Sequence, residues 1–374
     1  MSNLDHIFLY TILFAVFFYI TRIKQKTINN HYWLLLIIPI ILYSIILGCR
    51  YGWGNDYFWY KSRFEHPYKY KYEDPGFLLI NLFINGSVGN NYVFAFIIYS
   101  LIFIVCAFAW IKDYSGNKYM LVLFLPATLL LSTYTIRQSL GHSFIFLGLY
   151  FFQNKRWLPM LLSLLVAYNI HPAAILLVIP MLLLYYLANK PFSWKITIPI
   201  YTIASLSSDF INSFITRVFS LYLPLLTIGN KFDSYLRTFW FNKKAIRMAW
   251  EQGFLTLFLS MMFHIGIIYI GYVALKYVPQ KKVLYVYNTV VIGLIATRIF
   301  WYFEIFRRIS EAFVQLYFIP LGYAIYVITR INNNLEEKER ISCFVSFAFV
   351  VVYLVLYFGR FIFLSPDYIF IWNN

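Results

Sequence analysis

Residues 91–111 read NYVFAFIIYSLIFIVCAFAWI, a stretch that contains no charged side chain. A helix of about 20 mainly apolar residues is long enough to cross the hydrocarbon core of a bilayer. The whole chain of 374 residues has a similar character, since it is 61% hydrophobic and only 12% charged, whereas a soluble domain has about 25% charged residues. So few charges cannot cover the apolar surface in water. We therefore predict an all-α polytopic membrane protein.

Apolar runs recur along the sequence, and we predict about twelve transmembrane helices in a single transmembrane domain, residues 1–374. The runs lie at 6–21, 32–48, 91–111, 119–133, 138–153, 157–170, 172–188, 195–207, 253–276, 283–300, 310–329 and 341–363. Residues 76–88 are apolar but short and rich in Asn and Gly, which predicts an interfacial or re-entrant segment inside a loop at 49–90. If that segment spans instead, every later segment changes sides.

The formal net charge is +16, from 31 Lys and Arg against 15 Asp and Glu. In a soluble chain this charge would suggest a nucleic-acid partner. Here the cations fall in the breaks between apolar runs, so we predict contacts with lipid headgroups and no nucleic-acid partner. The cation counts of the two sides tie, but the short loops are basic almost without exception. They are predicted to be cytoplasmic, which places both termini and two larger loops, 49–75 and 208–252, outside.

The sequence has no motif for nucleotide or metal chemistry. It lacks a phosphate-binding loop, a dinucleotide fingerprint and a G-x-S-x-G elbow. Its three cysteines, Cys49, Cys106 and Cys343, are far apart and do not have metal-ligand spacing. We expect neither a cofactor nor a metal.

Nearly every residue that is costly in a membrane and unexplained by topology lies on the predicted outer side. Such ionisable residues usually line a cavity or pair with one another. They are Arg50 and Asp56 in the stretch 49–60 (CRYGWGNDYFWY), Glu73 and Asp74, Arg137 with Gln138, His171, and Arg298, Arg307 and Arg308 with Glu304 and Glu311.

Each of these groups has two interpretations. Asp56 among aromatic residues suits a sugar ring, or the stretch is an interfacial aromatic belt with a capping turn. The guanidinium of Arg137 suits a phosphate, or its side chain reaches out to the membrane surface. His171 is a phosphate donor or proton-transfer group, or a histidine satisfied at a helix end. Arg307 and Arg308 bind a second phosphate, or pair locally with Glu304 and Glu311.

The outward loop 208–252 combines cations with aromatic side chains such as Tyr235, Phe239, Trp240 and Trp250. A basic, aromatic loop suits an anionic glycan or a lipid headgroup. An amphipathic helix lying on the leaflet is the alternative.

At these residues the chain resembles the EpsG-like, Wzy-type polysaccharide polymerases of bacterial inner membranes. Four ordered stretches carry the resemblance: Arg50 with Gly54, Asp56 and Tyr60; Asp74-Pro75-Gly76-Phe77; Arg137-Gln138 followed by His171-Pro172-Ala173-Ala174; and Arg308-Ile309-Ser310 leading to Tyr317-Phe318-Ile319-Pro320. The chain departs from the family pattern at Asp74-Pro75-Gly76, where Glu-x-Gly is usual, and at Ala173, where a Ser is usual.

The resemblance implies a broadly GT-C-like membrane glycosyltransferase, independent of metal. It would join undecaprenyl-pyrophosphate-linked oligosaccharides into an O-antigen of lipopolysaccharide, an exopolysaccharide or a capsule at the periplasmic face, with a chain-length regulator as a further expected partner. Asp56 and His171 are the expected catalytic residues. The expected substrate-binding residues are Arg50, Tyr60, Glu73, Asp74, Arg137, Gln138, Arg298, Arg307 and Arg308. The alternative is a flippase or transporter of lipid-linked oligosaccharides, which should carry its cations inside the bundle.

Overall fold

The computed structural model describes residues 2–54, 56–70, 75–222, 253–331, 334–363 and 369–370. Within these residues the chain is almost entirely helical. The helices are α1 Ser2–Arg22, α2 Gln25–Asn30, α3 Tyr32–Gly48, α4 Tyr57–Glu65, α5 Pro75–Val88, α6 Tyr92–Ile111, α7 Asn117–Tyr134, α8 Ile136–Gln153, α9 Trp157–Ile170, α10 Ile175–Leu187, α11 Trp194–Leu206, α12 Ser208–Tyr222, α13 Phe254–Tyr277, α14 Lys281–Ile299, α15 Glu304–Val314, α16 Phe318–Ile331 and α17 Glu337–Phe363.

Short elements complete the described part of the chain. Single turns of 3₁₀-helix occur at Pro67–Tyr70, Pro172–Ala174 and Gln315–Tyr317. Two-residue strands β1 (Arg50–Tyr51) and β2 (Ile369–Phe370) pair antiparallel, with Arg50 opposite Phe370. This pairing fixes the backbone of Arg50 directly after α3.

The prediction of an all-α polytopic membrane protein is confirmed, since six helices in the described residues are long and apolar enough to cross a bilayer. They are Leu4–Arg22, Tyr92–Ile111, Phe254–Tyr277, Lys281–Ile299, Phe306–Ile331 and Glu337–Phe363. The other predicted spans also coincide with helices, but these are shorter or less apolar. The count of twelve spans and the GT-C-like arrangement stay predictions.

The helices form two compact units. The first unit contains Met1–Leu182, Leu321–Arg330 and Leu354–Asn374, and the second contains Leu183–Pro320 and Ile331–Tyr353. The first unit therefore holds Arg50, Asp56, Arg137 and His171. The late arginines Arg298, Arg307 and Arg308 belong to the second unit.

In the first unit, α8 and α9 form a helical hairpin. The connection turns at Lys155, which has a positive φ of 58°. Gly141 and Gly148 of α8 face α9 and the residues that follow it: a Cβ on Gly148 would lie 3.1 Å from the Cδ2 atom of Leu164, and one on Gly141 would lie 3.0 Å from the Cβ atom of His171. Small residues permit such close helix packing in membranes. Gly148 thereby lets α9 lie close to α8, and Gly141 lets His171 lie against α8.

In the second unit, a buried amide anchors the connection between α10 and α11 to α14. Asn288 is fully buried, accepts a hydrogen bond from the backbone N–H of Phe192 at 2.9 Å and donates one to the carbonyl of Lys190 at 3.2 Å. Buried backbone groups outside regular helices need such partners, above all in a membrane.

The predicted loop 208–252 begins with the helix α12, so its first part is helical rather than looped. Asn212 accepts from the N–H of Tyr302 at 3.2 Å, while Phe210 and Phe214, one turn apart, are mostly exposed. This amphipathic division explains why a helix forms there, and it agrees with the alternative of an amphipathic helix. Residues 223–252 lie outside the described residues.

Candidate active site

Arg50 is almost completely buried in the first unit, with 1% of its surface exposed. Its guanidinium donates to the carbonyl of Leu47 and, at 3.4 Å, to that of Thr133. Its Cζ atom lies 5.4 Å from the centroid of the Phe96 ring. Carbonyl dipoles and an aromatic face thus stabilise the buried charge, and no carboxylate of the described residues forms an ion pair with it.

Asp56 stands at the start of α4, after a tight turn. Gly52 and Gly54 have positive φ values of 67° and 102°, which L side chains rarely adopt. Asp56 is half-buried and occupies the N-cap position, yet its side chain makes no capping hydrogen bond. The carboxylate is therefore not used to stabilise α4, although N-cap carboxylates commonly are.

Tyr57 follows Asp56 and is 1% exposed. Burial, together with the neighbouring Tyr92, raises the pKa of the Tyr57 phenol, so this group stays protonated at neutral pH. Its ring packs edge-on against Phe96 at 5.3 Å. Tyr57 thus anchors the start of α4 and cannot serve as a base beside Asp56.

Two arginines approach one tryptophan in the first unit. The Cζ atom of Arg63 lies 3.6 Å from the ring centroid of Trp59, and that of Arg137 lies 5.5 Å from it. Trp59 and Arg63 are one turn apart on α4, whereas Arg137 is in the first turn of α8. We call Trp59, Arg63 and Arg137 the first arginine–tryptophan group. Arg63 lies two turns after Asp56 along α4, and Arg137 of α8 reaches the same indole.

One apolar cluster holds these motifs together. It includes Tyr57 and Tyr60 of α4, Phe77 of α5, Ile136 beside Arg137 and Ile170 beside His171. Tyr60 is 4% exposed, and its ring contacts Trp59 at a centroid distance of 4.9 Å. Tyr60 thus packs edge-on against the indole, and its expected contact with substrate stays a prediction.

His171 lies where α9 ends, and it is half-buried. Gly141 packs against it, one helical turn after Arg137 on the same face of α8. His142, which is 3% exposed, is near enough to interact electrostatically with His171. The structure thereby brings the Arg137 and His171 motifs together. Gln138 is half-buried beside Arg137.

Glu73 and Asp74 lie outside the described residues. The residues that follow them pack closely against α9, because a Cβ on Gly76 would lie only 2.7 Å from the backbone carbonyl carbon of Asn169. The start of α5 therefore packs against the end of α9, two residues before His171. The end of the second stretch, Gly76 and Phe77, thus lies in the same region of the first unit.

The second unit contains a separate network around Arg298, which is 4% exposed. Its Nε–H donates to the hydroxyl of Tyr201 at 3.2 Å and its terminal N–H to that of Ser260 at 2.7 Å. The Tyr201 hydroxyl also lies 2.7 Å from Nδ1 of His264. These partners are uncharged, so they orient the guanidinium without neutralising it.

Arg298 and Arg307 both approach Trp301, at 5.2 Å and 6.0 Å from the ring centroid. We call these three residues the second arginine–tryptophan group. Arg307 is 5% exposed and forms an ion pair with Glu311 at 2.5 Å, so the local pairing considered for these residues is present. Arg308 is exposed, on another face of α15.

The sequence analysis did not single out several of these residues. Trp59 and Arg63 are four residues apart and share one face of α4. This spacing would have predicted their contact if residues 57–65 had been predicted to be helical. His142, Tyr201, Ser260 and His264 sit inside apolar runs, and only the packing reveals their partners. Among the residues that the structure describes, no three His, Cys, Asp or Glu side chains converge as a metal site requires.

The EpsG family model matches residues 33–373, nearly the whole chain and all of the residues discussed above. No curated protein and no solved structure gives a significant match. The extent of the family match is decisive, and the chain belongs to the EpsG family, a family of Wzy-like polymerases.

Proposed function

We propose that this protein joins undecaprenyl-pyrophosphate-linked oligosaccharides into a surface polysaccharide, at the periplasmic face of the bacterial cytoplasmic membrane. The observation that carries the proposal is the first arginine–tryptophan group beside Asp56 and His171. Paired guanidinium groups bind diphosphate oxygens through parallel hydrogen bonds. A carboxylate and an imidazole nearby are suitable groups for proton transfer.

In the proposed reaction, a hydroxyl of the new unit attacks the anomeric carbon at the reducing end of the growing chain. The bond between that carbon and the pyrophosphate oxygen breaks, and the undecaprenyl pyrophosphate leaves with the electron pair. The hydroxyl proton passes to the carboxylate of Asp56, with His171 as the alternative acceptor. The charge that develops on the leaving group is stabilised by Arg137 and Arg63.

Two lipid-linked substrates meet in this reaction, and each carries a diphosphate. We assign the first arginine–tryptophan group to one of these diphosphates. The arginines of the second unit, Arg298, Arg307 and Arg308, stay predicted substrate-binding residues. Tyr201 and Ser260 hold Arg298 by hydrogen bonds, so its fork is oriented before a ligand arrives. Arg50 lies deeper in the first unit and supports the same region electrostatically.

A flippase for lipid-linked oligosaccharides is the second candidate function. The burial of Arg50 and Arg298 favours it, because a flippase carries its cations inside a bundle. The surface glycan of a strain that lacks the gene separates the two functions. Single repeat units on the surface indicate a lost polymerase, whereas absence of the glycan indicates a lost flippase. We expect single units, and restoration of the full ladder by the wild-type chain.

A further inference from the structure

An open groove of about 550 Å³ lies at the surface of the first unit, beyond the end of α4. It is formed by the last residue of α4, the 3₁₀ turn that follows and the last turns of α5. Its polar and aromatic lining consists of Glu65, His66, Tyr68, Lys69, Asn85 and Asn90. We call it the α4–α5 groove.

The amides in the groove are held in place and keep hydrogen-bonding capacity for a ligand. The N–H of Asn85 donates to the side-chain oxygen of Asn90 at 3.3 Å and to the carbonyl of Phe64 at 3.4 Å. The carbonyl oxygen of Asn85 and the amino group of Asn90 are not used by these bonds. An acceptor and a donor thus stand side by side, as neighbouring sugar hydroxyls require.

The groove also offers a carboxylate and an aromatic face. Glu65 has only a long ion pair, with Lys61 at 3.9 Å, and its oxygens accept hydrogen bonds from hydroxyl groups. Tyr68 is 73% exposed, which is unusual for a large aromatic side chain outside an interface. The apolar face of a pyranose ring stacks on such a ring.

The charge pattern distinguishes this groove from the arginine–tryptophan groups. Glu65 and Lys69 offset one another, and no arginine contributes to the lining. A phosphate would meet one lysine and a repelling carboxylate. Amides, a carboxylate and an exposed tyrosine instead match a chain of sugars whose main recognition groups are hydroxyls.

The groove is rigidly connected to the candidate active site. Helix α4 starts directly after its N-cap Asp56 and ends at Glu65, and the nine steps from Asp56 to Glu65 rise about 14 Å. Phe64 and Ile84 lock α4 and α5 into the apolar cluster of the first unit. A saccharide lying along α4 could therefore occupy the groove while its end reaches Asp56.

We propose that the α4–α5 groove binds sugars of the growing polysaccharide, as an oligosaccharide subsite at a distance from the reacting bond. This inference rests on the proposed polymerase function. Because the groove is open, it accepts a chain of any length. It retains the growing chain near the catalytic residues and so favours further elongation over release.

The test uses Tyr68→Ala and Asn90→Ala, which change exposed side chains and leave the core intact, in the full-length protein expressed in the deletion strain. Tyr19→Ala is the matched control, because Tyr19 is 68% exposed on α1. We expect both groove variants to form the first linkage between units but to give shorter chains, while Tyr68→Phe restores the length. Wild-type chain length in both variants, at matched protein level, overturns the inference.

A binding measurement keeps the groove and the polymerase proposal separate. The probe is the host polysaccharide, released from its lipid and fractionated by size, added to purified protein in nanodiscs. Tyr68→Ala should weaken binding about threefold to tenfold, as loss of a stacking aromatic group does. If the wild type binds the probe but makes no polymer in the deletion strain, the polymerase proposal fails and the groove stands. If the wild type does not bind it, the groove assignment fails.

Discussion

The guanidinium of Arg63 lies against the indole of Trp59, with its Cζ atom 3.6 Å from the ring centroid. Arg137 approaches the same indole from another helix, and the second unit repeats the arrangement with Arg298 and Arg307 at Trp301. An aromatic face offsets part of the repulsion between two neighbouring cations. We propose that the first group uses its positive charge to bind an anionic ligand, whereas in the second group Glu311 already pairs with Arg307.

Arg137 tests whether this charge serves a diphosphate. Replacement by Ala removes the charge, so Arg137→Ala should abolish polymer almost completely. Lys keeps the charge but loses the bidentate fork, so Arg137→Lys should be impaired by about tenfold to a hundredfold. The measurement is the polymer ladder of a complemented deletion strain. Arg156→Ala is the control, since Arg156 is an exposed arginine before α9, and normal polymer from Arg137→Ala would contradict the assignment.

Trp59 should act by positioning the two arginines. Trp59→Ala should lower the polymerisation rate by about twofold to thirtyfold, the range of one cation–π contact, and Trp59→Phe should lose less. Because the indole positions both guanidinium groups, the KM for the lipid-linked donor should rise as well. The control is Trp157→Ala, because Trp157 is exposed on α9. Equal effects at Trp59 and Trp157 would mean that the contact with arginine has no special role.

Much of the fold was predictable because hydrophobicity alone determines a membrane helix. The boundaries at 32–48 and 157–170 agree with the structure, since apolar runs end where charged or polar residues begin. The helix α12 was predicted only as the alternative to a loop, because amphipathic surface helices have low mean hydropathy. The division of the predicted span 310–329 among α15, a 3₁₀ turn and α16 depends on packing and has no signal of comparable strength.

The site was predictable in part. Arg137 and His171 stood out because each interrupts an apolar run, and Asp56 because it follows two glycines. Sequence could not show that Gly141 brings His171 to α8, because this depends on the contact between two helices. Nor could it show that Arg298 donates hydrogen bonds to Tyr201 and Ser260. Neutral polar residues inside apolar runs do not indicate which partners they contact.

The packing of Gly141 gives a prediction about stability. A methyl group there would lie 3.0 Å from the Cβ atom of His171 and 3.3 Å from that of Ala174, so the segment that follows α9 must shift by a few tenths of an ångström. Overpacking of this kind costs about 1–3 kcal/mol. Gly141→Ala should therefore lower the Tm of the purified protein and displace His171. Gly359→Ala, in α17 with no atom within 4 Å of the added methyl, should leave Tm unchanged or raise it.

The basic short loops predict which side of the membrane each loop faces. In a background without the three cysteines, Lys61→Cys and Lys243→Cys should react with a membrane-impermeant thiol reagent in spheroplasts, because both lie in predicted outer loops. Lys24→Cys and Lys281→Cys should react only after the membrane is opened. The opposite pattern would place the candidate active site on the cytoplasmic side.

We predict that Asp56 accepts the proton of the attacking hydroxyl. A carboxylate within reach of the attacking hydroxyl is worth about 10²- to 10⁴-fold in rate. Asp56→Asn keeps the size and removes the basicity, and because Asp56 makes no capping hydrogen bond, α4 should form normally. The variant should fold, bind lipid-linked units and leave them unpolymerised. Asp209→Asn serves as the matched control, since Asp209 is exposed on α12. Near-normal polymer from Asp56→Asn together with none from His171→Ala would transfer the role of base to His171.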